Sequence, residues 1–166
     1  MTNFSISSNK PDQPAQLRVA LPKWLLAAIL AFSFIGFLDA VYLTVQNYSQ
    51  GILPCVIFEG CDQVLTSQYA KVWNIPISLV GAIYYLIIFV LAILFIDSKN
   101  PRALLVLGYL PIAGFITSLA LVFLQVFVIK ALCVYCVVSA ISSTILFILG
   151  LKVLKFRERN ENLHQS

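Results

Sequence analysis

The chain has 166 residues, of which 60% are hydrophobic and 11% charged, with a mean hydropathy of +0.92. A soluble domain carries about a quarter charged residues, so the composition excludes an ordinary water-soluble enzyme. The net charge of +4 comes with no basic-aromatic patch and gives no ground for nucleic-acid binding.

Taken in chain order, residues 1–20 are polar and rich in Ser, Asn and Pro, and are expected to form a disordered N-terminal tail. Four apolar segments follow, at about residues 25–45, 75–96, 103–129 and 131–151. Crossing a bilayer takes about 20 apolar residues, and each segment is long enough. Backbone groups in lipid must pair internally, and runs this continuous suit helices rather than the alternating strands of a barrel. The expected fold is an all-α membrane protein, a four-helix bundle over residues 21–156 with a polar C-terminal tail at 157–166.

The first segment is longer than a cleavable signal and ends without a small-residue cleavage site, so it is retained as a membrane helix. It contains Asp39, about 9 Å below its outer end at 1.5 Å per residue. An ionisable group at that depth is a functional candidate. Its alternative role is a carboxyl hydrogen-bonded to Thr44 or Tyr42. The connection from residue 46 to 74 exceeds an ordinary helix link. Within it Asp62 is placed to cap a short amphipathic half-helix over about residues 63–71, and Pro76 suits the start of the second helix. Residues 97–101 read as a turn. Only Lys130 separates the last two segments, which implies a tight helical hairpin. His164 falls in the polar tail, where a solvated role is expected.

Basic residues fix the expected orientation. Lys10, Arg18 and Lys23 precede the first helix, Lys99 and Arg102 lie between the second and third, and Lys152, Lys155, Arg157 and Arg159 follow the fourth. The other side holds only Lys71 and Lys130. The positive-inside rule then puts both termini in the cytoplasm. All four cysteines fall on the opposite face, where disulfides persist.

Cys133 and Cys136 form a Cys-Val-Tyr-Cys motif at the mouth of the fourth segment. Positions three apart share a helix face at about 5–6 Å, within disulfide range. A first helical turn favours a thiolate, and Lys130 adds a nearby positive charge. Cys55 and Cys61, five residues apart in the loop, read alone as a structural staple; four cysteines allow three pairings. Zinc would need further ligands, and the 55–61 gap is wider than the usual two to four residues, so no metal is expected. A loop pair able to receive electrons and a membrane-edge pair able to pass them on together point to a thiol oxidoreductase. The alternative is a four-helix transporter or assembly protein with structural disulfides.

These residues resemble the vitamin K epoxide reductase family, especially bacterial members that form disulfides. The resemblance rests on Asp39-Ala-Val-Tyr-Leu-Thr44, Cys55, Cys61-Asp-Gln-Val-Leu-Thr-Ser67, Ile75-Pro76 with Gly81 and Tyr85, and Leu132-Cys-Val-Tyr-Cys136. It implies a four-helix bundle around a quinone, ubiquinone or menaquinone, with the half-helix as lid. It implies that Cys133 and Cys136 are the active pair, with Cys136 nearest the ring, and that Cys55 and Cys61 are the shuttle pair. Cys61 would attack Cys133 while Cys55 exchanges with a DsbA-like, thioredoxin-fold protein. Some relatives carry a fused thioredoxin-like domain, and a separate partner is expected here. Ser67 would lie near the active cysteines. Among the helix residues, Asp39 is a candidate to deliver protons to the reduced quinone or to shape the pocket's polarity, and Tyr85 a candidate to stack on the ring. Animal members have Thr-Tyr-Ala after the second active cysteine. Here Val138-Ser139-Ala140 stands there, with Ser139 in the tyrosine's place, which weighs against epoxide reduction. The DsbB fold has its close pair in the first outer loop, the reverse of the order here. The expected location is a bacterial inner or plasma membrane.

Overall fold

The computed structural model describes residues 21–49, 71–72, 75–98 and 101–165. Helix α1 spans Lys23–Ser49, α2 Ile77–Ser98 and α3 Pro101–Phe123. A π-helical turn, Leu124–Ile129, extends α3, and α4 spans Val134–Gln165. Two residue pairs, β1 at Lys71–Val72 and β2 at Ile75–Pro76, form a minimal antiparallel ladder just before α2. Four helices are long and apolar enough to cross a membrane, as expected for an integral membrane protein of the all-α class.

The helix ends follow local chemistry. The Leu25 N–H donates to the Pro22 carbonyl at 3.0 Å and closes the first turn of α1. Pro101 opens α3, where its missing N–H costs nothing. Hydroxyls inside the spans bond back to their own helix, as Thr44 does to Ala40 O and Thr144 to Ala140 O, both at 2.7 Å. Both hydroxyls are thereby satisfied within their own helices.

Packing relies on close approach. A Cβ on Gly150 would lie 3.0 Å from the Gly108 carbonyl oxygen and 3.2 Å from Pro111 Cγ, so α3 and α4 cross nearly backbone to backbone. Gly36 of α1 lies beneath the Tyr85 ring of α2, 2.5 Å from where a Cβ would stand. Small residues at crossings are how membrane helices gain contact when lipid competes equally for apolar side chains. The main core, with Leu25, Ile29, Ile88, Leu107, Leu146 and Val153, fills the end of the bundle where α1 begins. A smaller cluster, Leu43, Ala131 and Cys133, fills the other end. Phe34, Ile87, Ile116 and Leu119 point outward, as lipid-facing side chains do. Lys152 Nζ stands 5.3 Å from the Trp24 ring centroid, which ties the start of α1 to the later part of α4.

Three expectations change. Helix α4 starts at Val134, not 131, because Lys130 adopts a left-handed conformation (φ 56°) and residues 131–133 form the link. It runs on to Gln165, past the expected end near 151, so the polar segment 157–165 is helical. Lys, Arg, Glu and Leu are good helix formers, and no Gly or Pro follows Gly150 to stop them. Pro76 lies in β2 immediately before α2 rather than within its first turn. The half-helix expected over 63–71 lies outside the described residues except for Lys71, which is in β1. The N-terminal tail, Cys55, Cys61 and Ser67 also lie outside them.

Gly150→Val should lower the apparent unfolding temperature in detergent, at a cost of about 1–3 kcal/mol from overpacking. Unchanged stability would contradict the close α3–α4 crossing.

Candidate active site at the cysteine turn

The site is built by the change of direction between α3 and α4. The Gln125 carbonyl accepts the N–H of Lys130, and that of Ala131 at 3.2 Å. These reaches of five and six residues widen the last turn beyond an α-helix and let the chain reverse within four residues. The Cys133 carbonyl accepts the Val137 N–H at 3.1 Å, so Cys133 caps α4 and Cys136 lies in its first turn.

Both cysteines are free thiols. Cys133 is fully buried, while Cys136 is half-buried and lines a cavity. The Cys133 thiol is pulled down from its ordinary value to about 7, chiefly by a hydrogen bond from the Cys136 thiol. The backbone N–H groups of Cys136 and Tyr135 add to this, while burial opposes it. The helix N-terminus favours the same sign of charge. Lys130 contributes its left-handed backbone to the turn and keeps its side chain exposed.

The cavity has a volume of about 270 Å³ and mostly apolar walls drawn from all four helices. Cys136, Gln125, Tyr85 and Ser139 line it near the cysteine turn, and Tyr84 and Ser143 are also in its wall. Exposed Val80 of α2 and Thr117 of α3 belong to the lining too, so the cavity reaches the lipid-facing surface between those helices. A concave, apolar site with a few polar groups is the usual form of a small-molecule pocket.

Tyr85 is buried; its Oη donates to the Ser139 carbonyl at 2.8 Å and pairs with Ser139 Oγ at 3.0 Å. Ser139 therefore meets a tyrosine hydroxyl that arrives from α2. Asp39 lies beside Cys133 and Tyr85 but not among the residues lining the cavity. Its Oδ2 is buried without a hydrogen-bond partner. The neighbours expected to satisfy it have other partners: Thr44 Oγ1 donates to Ala40 O and pairs with Ser78 Oγ, and Tyr42 Oη accepts from Gln46. The Tyr42 and Tyr135 rings meet beside the cysteine turn with centroids 5.0 Å apart and planes tilted by 40°. Among the described residues no group of His, Cys, Asp and Glu is placed to hold a metal ion.

Sequence reasoning missed Gln125. It is 4% exposed, and its Oε1 accepts the Cys133 N–H at 3.5 Å. Its side chain also lies beside the Cys136 thiol, and both line the same cavity. The available signal was a lone amide in an apolar span, which is costly there and marks function by default.

Residues 27–151 match the family model described as the vitamin K epoxide reductase family. The chain belongs to the vitamin K epoxide reductase family. It is also 32% identical over 129 residues to the thiol-disulfide oxidoreductase LTO1 of Arabidopsis thaliana. That match covers 73% of this chain and 34% of the relative, so the chain corresponds to about a third of that protein's length. The vitamin K epoxide reductase match takes in all four cysteines, Ser67 and Gln125.

Thiolate absorbance of the fully reduced protein should rise through about pH 7 and lose that step in Cys133→Ser. A step retained in Cys133→Ser and lost in Cys136→Ser would reassign the acidic thiol.

Proposed function

We propose that the chain is a membrane thiol oxidoreductase that passes electrons from an extracytoplasmic thiol protein to a membrane quinone. The observation that carries this is the pairing of two free thiols with an apolar cavity, Cys133 behind the wall and Cys136 in it. Family membership and the thiol-disulfide oxidoreductase relative support the thiol chemistry. The positive-inside pattern supports cytoplasmic termini and extracytoplasmic cysteines, in a bacterial inner or plasma membrane.

A quinone of the ubiquinone or menaquinone class fits the cavity's chemistry, because a flat apolar ring with polar oxygens matches apolar walls carrying a few donors. Bound there, it would supply a two-electron, two-proton acceptor for the thiol pair. Cys136 presents its sulfur at the cavity wall, and Cys133 provides the second sulfur. The pair gives up two electrons and two protons and closes as a disulfide. Tyr85 holds the α2 side of the wall through Ser139. Asp39, with an unpartnered oxygen beside the pair, moves a proton between the thiols and the cavity.

Return to the reduced state runs through the loop pair. The Cys55–Cys61 disulfide takes two electrons from a reduced thioredoxin-fold, DsbA-like protein, with Cys55 the sulfur that meets it. The Cys61 thiolate then attacks Cys133, breaking the Cys133–Cys136 disulfide and releasing Cys136 at the cavity; the Cys55 thiolate attacks Cys61 in turn, re-forming the loop disulfide and releasing Cys133. Cys133 is a suitable relay, because a more acidic thiol leaves more readily in exchange. Ser67 supplies a hydroxyl near the active pair.

The test is anaerobic quinone reduction by the purified protein. Cys133→Ser or Cys136→Ser should abolish turnover with any donor. Cys55→Ser or Cys61→Ser should block a reduced DsbA-like donor while dithiothreitol still drives turnover. No turnover of several quinones by folded protein with reducible cysteines would sink the reading. Equal loss of dithiothreitol-driven activity in all four variants would remove the division into shuttle and active pairs.

A further inference from the structure

Gln125 has two ends, and both are turned to the thiol pair. Its Oε1 accepts the Cys133 N–H, its amide reaches the Cys136 sulfur, and its side chain lines the same cavity as Cys136. Its own carbonyl closes the wide turn by accepting from Lys130 and Ala131. In an unbroken α-helix that carbonyl would accept from Ile129 instead. One residue thus sets the register shift and fills the space the shift creates. A buried primary amide at membrane depth is expensive unless both its donor and acceptor ends are used. Leu or Met would serve a packing role at lower cost.

We propose that Gln125 is a positioning residue for the thiol pair, holding the Cys133 backbone with one end of its amide and the Cys136 sulfur at the cavity wall with the other. This rests on the reading of the pair as the donor to quinone. In the pair's reaction two thiols become one disulfide, and two electrons and two protons pass to the quinone. Gln125 itself is neither oxidised nor deprotonated. Its N–H stabilises negative charge on the Cys136 sulfur while that sulfur faces the cavity. The other titratable groups around Cys136 are Cys133 on the turn, Asp39 on α1, Tyr85 on α2 through Ser139, and Tyr135 on α4 beside Tyr42 of α1. Each of these is neutral or negative when it titrates, and none supplies a positive charge. The amide is the neutral donor that offsets them.

Gln125→Met removes both hydrogen bonds and preserves length. It should lower kcat for dithiothreitol-driven quinone reduction by about 10- to 100-fold, the range for a hydrogen bond to a charged group. The quinone KM should stay within about twofold if the residue positions the sulfur rather than binds the ring. The ascending limb of the kcat–pH profile should move to higher pH, since a lost donor makes the thiolate harder to form. Gln125→Glu gives the opposite limb. Its protonated carboxyl still accepts and donates, whereas the ionised form repels charge on sulfur, so activity should fall as pH rises.

A second readout needs no quinone. Iodoacetamide labelling of Cys136 in the reduced protein, followed by mass spectrometry across pH, should shift to higher pH in Gln125→Met. If the wild type reduces no quinone, the proposed function fails while the labelling shift still decides the role of Gln125. Unchanged kcat and an unchanged labelling profile in Gln125→Met would overturn the inference. So would a rise in quinone KM alone, which would make Gln125 a wall residue.

Discussion

Backbone groups inside a bilayer have no water to fall back on, and this chain reverses direction at the end of α3 with its last carbonyls still to be satisfied. The solution is the wide turn at Leu124–Ile129, in which Gln125 O takes two N–H groups and Lys130 accepts a left-handed backbone. The rest of the site depends on that closure. It sets Cys133 as the cap of α4, Cys136 in the first turn, and the Gln125 amide between them. A regular α-helical end would leave the amide and the cysteines out of register.

Two forces oppose one another at Cys133. Burial disfavours a thiolate, while the Cys136 thiol and two backbone N–H groups favour it, and the hydrogen bonds win. The arrangement has a mechanical requirement, since the donors act only if the turn is held rigid. Gly36 beneath Tyr85 and Gly150 against Gly108 bring α1 to α2 and α3 to α4 at close range. Tyr85 links packing to chemistry most directly, because its ring lies over α1 and its hydroxyl holds Ser139 on α4. The space left over is the cavity that Cys136 faces.

Much of this was legible in the residues. Long uncharged runs announced four helices, and Cys-Val-Tyr-Cys announced a pair at a helix mouth. Asp39 stood out because a carboxyl in an apolar run is costly; its Oδ2 is buried without a hydrogen-bond partner. The π turn was not legible, since a shift of one residue near a helix end leaves no trace in hydropathy. Gln125 was visible only as an isolated amide, and its partners appear once the turn brings residue 133 back over residue 125. The continuation of α4 to Gln165 was hidden because charged helix formers read as a polar tail until α4 shows no break. The loop pair and Ser67 lie outside the described residues, and their roles stand on sequence and family resemblance.

The central claim is that Cys133 and Cys136 exchange electrons with a quinone at the cavity. The most direct test is the redox state of that pair in anaerobic membranes given excess oxidised quinone or excess quinol, read by thiol labelling and mass spectrometry. The account predicts a disulfide with the oxidised form and free thiols with the reduced form. A Cys133–Cys136 pair whose state ignores the quinone poise would contradict it.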